Sequence, residues 1–336
     1  MVSSRVPIEQ GTTGGKGSQS LTTRLRPYAP ELVATGLLLA AFVVSSLLSP
    51  YFLDASFLFR QMLLYMEIGI MALGATLIII SGNLDLSVAG LLAMVACVTA
   101  YLHAQVGLPM ELCVVLGLLL GAAAGAFNGF FVAALGLPSL PVTLATMALY
   151  RGVAQILLGD HSLQDFPKWF LGIDRHVIPG TPIPAPFLIF LGIALVMGLA
   201  LHRSIFGRWV YALGTNARAA YFAGVPTRRV KLLLFTLSGF LSGVAGLMLD
   251  SRLLVARYDH ATGWELEAIT AVVLGGTAIS GGRGSIFGTV VALILIAILR
   301  TGMGVANVKV ESQLAVTGTL LVVSVLVSNV LGRRRK

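Results

Sequence analysis

The residues that could do chemistry in this chain are polar groups set into apolar runs. Glu67 lies inside one such run, and Asp85 sits in the turn SGNLDLS with Asn83 two residues before it. Asn128 falls late in another run, and Glu265 and Glu267 open a third, where carboxylates favour a helix amino terminus. Arg151 and Gln155 are four residues apart, so a helix places them on one face. An ionisable group near a bilayer centre costs roughly 2.5–3.5 kcal/mol on insertion scales, so one that is present faces a bundle interior or a water-filled path. Two readings follow. Glu67, Asn83, Asp85, Asn128 and Gln155 either line the path of a hydrophilic solute or tie and cap helices by hydrogen bonding. They do not make a proton relay, because no acidic residue recurs at helical spacing. The histidines (His103, His161, His176, His202 and His260) are scattered among loops and span ends. That scatter argues against an enzyme acting on lipids, which needs His, Asp or Ser clustered at the interface.

Two further motifs bear on cofactor chemistry. GGTAISGGRGS, residues 275–285, is glycine-rich but lacks the lysine and spacing of a phosphate-cradling loop. A tight turn between two spans accounts for it, and no nucleotide site is expected. Cys97 and Cys113 both lie in apolar segments and read as buried thiols, since a metal site needs more ligands at recognisable spacing. No metal and no cofactor is expected, and no catalytic residue is assigned.

The elements that position these groups are membrane spans. The 336-residue chain is 57% hydrophobic and 11% charged, against about 25% charged in soluble domains. Its mean hydropathy is +0.91. The formal charge of +9 falls in the gaps between apolar runs, which suits a membrane surface and its lipids rather than nucleic acid. A span needs about 20 apolar residues. The runs give ten: 31–50, 58–81, 86–104, 110–134, 139–158, 186–202, 230–250, 264–281, 285–302 and 311–331. SGNLDLS and SGGRGS, at the borders of these runs, are either surface turns or breaks inside the membrane. The expected fold is therefore an all-α, polytopic membrane bundle with both termini cytoplasmic. Residues 1–30 read as a disordered cytoplasmic tail, 31–331 as the membrane domain and 332–336 as a basic tail. With the amino terminus inside, 15 of the 23 Lys and Arg residues fall on the inner side, as the positive-inside rule requires.

The largest inner segment, 203–231, carries six basic residues and no acidic one. At its centre GTNARAAYFAGVP reads as a short helix with both ends marked. Thr215 or Asn216 caps its start, Gly224 supplies the left-handed turn that ends it, and Pro226 stops it restarting. Such an exposed, capped helix suggests a lever for a cytoplasmic partner. The longest outer segment, 159–185, is proline-rich with mixed charge, and reads either as a docking surface or as a structural loop. GLLLGAAAGAFNG and SGFLSGVAG place small residues every three to four positions, which suits close helix packing.

Four ordered stretches carry a family resemblance: SGNLDLSVAGLLAM, LPVTLATMALYRGVAQIL, FGRWVYALGTNARAAYFAGVPTRRVK and WELEAITAVVLGGTAISGGRGSIFGT. Together they resemble the membrane permeases of bacterial sugar-import ABC transporters, the group serving ribose, xylose, galactose, rhamnose and autoinducer 2. The likeness runs from about residue 35 to 330. The segment RGVAQILLGDHSLQDFPKWF is similar to rhamnose permeases. Where the family commonly has Gly-Gly-Ile-Asp-Leu-Ser, this chain has Asn83 in place of the second glycine, a substitution that a turn tolerates.

The resemblance implies a permease subunit of an ATP-driven importer in the bacterial inner membrane, translocating a rhamnose-like monosaccharide and doing no chemistry itself. Autoinducer 2, ribose and xylose are the alternatives. It implies ATP-binding subunits, a periplasmic sugar-binding protein and a second permease as partners. It also implies that Gly214, Asn216, Ala219, Ala220 and Gly224 form the segment that couples to the ATPase. A transporter driven by an ion gradient is the rival of another class. It would need an essential carboxylate within the membrane, for which Glu67 is the candidate.

Overall fold

The computed structural model describes residues 29–48, 50–313, 315–319 and 322. The tails expected at 1–30 and 332–336 lie outside the described residues, except for the start of the first helix, and so does most of the run 311–331. Thirteen α-helices are described: α1 (Ala29–Leu48), α2 (Ala55–Leu63), α3 (Met66–Ile80), α4 (Val88–Ala104), α5 (Met110–Ala133), α6 (Ser139–Leu158), α7 (Lys168–Arg175), α8 (Ala185–Arg203), α9 (Ile205–Thr215), α10 (Ala217–Phe222), α11 (Thr227–Leu253), α12 (Trp264–Leu274) and α13 (Ile286–Val305). Among the described residues, pairing outside helices amounts to two isolated bridges, Leu163 with Ala256 and Val177 with Pro184. The all-helical membrane bundle read from the sequence is thus what the chain forms.

Among the described residues, five helices, α5, α6, α8, α11 and α13, are long and apolar enough to cross a membrane, and a sixth span results if α2 and α3 are taken together. Two expected spans are corrected. The run 58–81 is not one straight helix but α2 and α3, bent by 59° at a short break. Asp54 caps α2 through its carboxylate, which accepts from the Ser56 amide at 2.8 Å. No residue of α2 is buried, whereas all fifteen residues of α3 are. The chain bends where it passes from the surface into the core. The run 264–281 is likewise not a full span. Its helix stops at Leu274, and 11 residues reach only about 16 Å at 1.5 Å per residue, against a hydrocarbon core of about 30 Å. Gly276 then takes φ +89° and the chain turns through 275–285 before α13. Ile279, Ser280 and Arg283 of this turn are exposed, so it stands at the surface of the bundle.

The central element is α11, which packs along α5, α3 and α4. Small residues set how close it comes. A Cβ added at Gly125 would overlap the Phe235 carbonyl oxygen, and one at Gly239 would overlap that of Gly121. The two helices therefore meet backbone to backbone, as the small-residue spacing suggested. One apolar core surrounds α3. A second gathers Cys97, Tyr150, Phe166 and Phe170 beside it.

Candidate functional site

The short helix α10 stands where the sequence placed it, at the end of the molecule bearing the basic segment. Asn216 is extended (φ −160°, ψ 100°), so α9 stops and α10 starts at one residue. Its Oδ1 accepts from the amides of Arg218 at 3.1 Å and Ala219 at 3.0 Å. Gly224 ends the helix at φ +84°. The Gly224 amide donates to Tyr221 and the Val225 amide to Ala220, each at 3.0 Å. Of the expected coupling residues, Asn216, Ala219 and Gly224 are exposed, Gly214 is partly buried and Ala220 is buried. Tyr221 and Phe222 are 64% and 78% exposed, too open for core residues. Their rings meet edge to face at 5.7 Å. Arg218, Arg228 and Arg229 are exposed around them. One shallow depression beside α10 is lined by Ala212, Thr215, Ala219 and Val225. Another lies between α10 and the α5–α6 turn, lined by Val132–Gly136, Ala217 and Arg228. Exposed aromatics with arginine and adjoining grooves are the composition of a protein-docking surface.

A second polar constellation lies inside the bundle. Asp85 accepts from the Ser87 amide at 3.0 Å and the Ser87 hydroxyl at 2.6 Å. Its other oxygen accepts from the Ser238 hydroxyl at 3.0 Å. Asn128 Nδ2 donates to Ser87 Oγ at 2.8 Å. The Tyr150 hydroxyl lies 2.8 Å from the Ala124 carbonyl and 3.1 Å from Asn128 Oδ1. One buried network thus joins the α3–α4 turn to α5, α6 and α11. Asn83 closes the same turn by donating to Ser81 Oγ at 3.0 Å. The structure brings Asp85 and Asn128 together as the sequence could not show. Glu67 is at the far end of α3, and Gln155 is exposed on α6.

The opposite end of the bundle is held by charges. Glu67 is 1% exposed and accepts from Arg252 Nε at 2.7 Å. Glu267 and Arg300 pair through both oxygens at 3.0 and 3.1 Å. Arg151 Nη1 donates to the carbonyls of Tyr258 and His260, both at 2.6 Å, and so pins the α11–α12 loop to α6. Burial, reinforced by nearby arginines, lowers the His260 pKa below 6.5 despite Asp259 beside it. At Asp259, burial raises the pKa, but the hydrogen bond and charge of Arg257 outweigh it and the net shift is downward. Leu163 and Ala256 exchange backbone hydrogen bonds at 2.9 and 3.3 Å, joining this loop to the long segment 159–185.

Several of these residues were invisible beforehand. Arg252 and Arg300 find partners 185 and 33 residues away, and no local spacing announces such pairs. Asp250, completely buried with no hydrogen-bond partner for either oxygen among the described residues, is legible by the rule that marks Glu67, since it is an acid at the end of an apolar run. The signal for the two inner turns was a repeated phrase: LGAT followed by ISG at 73–82, and LGGT followed by ISG at 274–281.

Comparison with known proteins agrees with this architecture. Residues 57–325 match the family model described as "Branched-chain amino acid transport system / permease component". The chain is 34% identical over 307 residues to the "Autoinducer 2 import system permease protein LsrD" of Salmonella typhimurium (strain LT2), covering 90% of this chain and 92% of the relative. It is 35% identical over 305 residues to the protein of that name from Escherichia coli (strain K12), covering 89% and 92%. No solved structure matches. A match of this length, on a polytopic helical bundle, places the chain in the family of inner-membrane permease components of import systems, as the resemblance implied.

Proposed function

We propose that this chain is the membrane-spanning subunit of an ATP-driven importer, and that α10 is the element on which the ATP-binding subunit sits. The observation that carries this reading is the capped, arginine-flanked α10 with Tyr221 and Phe222 exposed at its tip. ATP binding in the partner displaces α10, and the spans respond by exposing a path to one side and then the other. A periplasmic binding protein presents the solute at the opposite end, on the segment 159–185 and the loop bridged to it. A second permease, a copy or a sister, completes the path. Of the five residues expected to line it, Glu67, Asn83, Asp85 and Asn128 are buried within this one chain and are proposed to tie helices, while Gln155 is exposed and is proposed to face the path.

The solute is a small polyhydroxylated molecule. The relatives named for autoinducer 2 import favour that compound. The run RGVAQILLGDHSLQDFPKWF favours a rhamnose-like sugar. Thermal stabilisation of the partner binding protein separates them: whichever of autoinducer 2, L-rhamnose, ribose or xylose raises its melting temperature is the cargo. For coupling, Ala219→Glu puts an acid on the exposed face of α10. Transport and stimulated ATP hydrolysis fall at least tenfold while the permease remains in the membrane. Retention of both would remove α10 from the coupling role.

A further inference from the structure

The inner ends of α3, α9 and α12–α13 meet through backbone rather than side chains. The Ile80 carbonyl, at the last turn of α3, accepts from the Gly282 amide at 2.8 Å. This pairs a helix-end carbonyl that has no partner within its own helix with the turn between α12 and α13. Gly214, in the last turn of α9, lies against both. A Cβ there would overlap the Ile80 oxygen and stand 2.5 Å from the Gly282 nitrogen. Gly281 is equally confined, since its Cβ would stand 2.8 Å from Gly82 Cα and 2.9 Å from the Gly214 carbonyl oxygen. Gly281 and Gly282 adopt φ +83° and +76°, the left-handed region that side chains disfavour. One side chain adds a tie: the Tyr211 hydroxyl of α9 donates to the Gly284 carbonyl at 2.7 Å.

This junction sits two residues before Asn216, the cap of α10. A push on α10 therefore reaches α9 at Asn216 and meets Gly214 within one turn. There the neighbouring backbones touch with no compressible side chain between them. Close-packed contacts of this kind pass on displacement rather than absorb it. The geometry points to Gly214 and Tyr211 as positioning residues for coupling: they clamp α9 to the Ile80–Gly282 hydrogen bond, so that a movement of α10 shifts α3 and the α12–α13 turn together. This rests on α10 being the docking helix. It adds the route by which the motion leaves that helix, and it accounts for the glycines of SGGRGS without a nucleotide.

The test uses the whole complex, co-purified with its ATP-binding subunit. A reporter is placed by Ser280→Cys, an exposed position beside Gly281. The native Cys97 and Cys113 are buried, so maleimide reads the reporter. Labelling rates are compared without nucleotide and after trapping with ATP and vanadate. In the otherwise unchanged complex, trapping alters the rate at least threefold. Gly214→Ala abolishes that response while the ATP-binding subunit still co-purifies. Tyr211→Phe, which removes one hydroxyl and leaves the fold intact, reduces the response at least twofold and decides the matter should Gly214→Ala fail to assemble. If trapping leaves the reporter unchanged in the assembled complex, or if Tyr211→Phe and any assembled Gly214→Ala respond like the parent, the junction is not the route. If no ATP-binding subunit co-purifies even with the parent chain, the importer reading itself fails, and the junction proposal falls with it.

Discussion

At the scale of single residues, the charges buried in this chain divide by whether they have partners. Glu67 has Arg252 at 2.7 Å, and breaking such a buried pair from one side costs about 3–5 kcal/mol because the remaining charge stays buried. Glu67→Gln therefore destabilises the permease strongly, while Glu67→Gln combined with Arg252→Gln recovers stability and transport. An ion-coupled transporter would lose transport in both, so uptake by the double variant separates the two readings. Asp250 is the opposite case, fully buried with neither oxygen hydrogen-bonded among the described residues. An amide of the same shape carries no charge to desolvate, so Asp250→Asn holds or raises the thermal midpoint in detergent. A fall of several degrees would mean that the Asp250 carboxyl makes a stabilising contact that the amide cannot replace. Glu67 was legible in the sequence because a lone acid stands out in an apolar run. Its role was not, because the arginine that answers it lies 185 residues away.

At the scale of elements, α10 was the most legible part of the molecule. Its signals are local: Asn216 at the cap, Gly224 at the left-handed turn and Pro226 beyond. The close contact of α5 with α11 was legible as well, from glycines at helical spacing. Gly239→Leu forces the backbones of Gly121 and Gly125 apart, and the yield of folded, monodisperse permease falls at least fivefold on size exclusion. Misread were the break between α2 and α3 and the stop at Leu274, although Gly275 and Gly276 mark the latter. Hydrophobicity continues across both, so a window of about 20 residues reads a span through them. What stops α12 is a local glycine cap inside the apolar run: Gly276 takes φ +89°, its amide donates to the Val273 carbonyl at 3.0 Å, and the Thr277 amide donates to that of Val272 at 3.2 Å.

At the scale of the whole molecule, the polar groups sort by end. The basic segment, α10 and both glycine turns share one end, while Arg151, Glu67–Arg252 and the bridged loops 159–166 and 254–258 share the other. This arrangement fits a subunit worked from the cytoplasm and supplied with solute from outside, with the buried network of Asp85, Ser87, Asn128, Tyr150 and Ser238 holding four elements together. The most direct test is ATP-dependent solute uptake in proteoliposomes containing this chain, its ATP-binding subunit and its binding protein, compared between the parent chain and Ala219→Glu. The account predicts uptake that requires all three components and drops at least tenfold in Ala219→Glu. Uptake that proceeds without the ATP-binding subunit, driven by an imposed ion gradient, would contradict it.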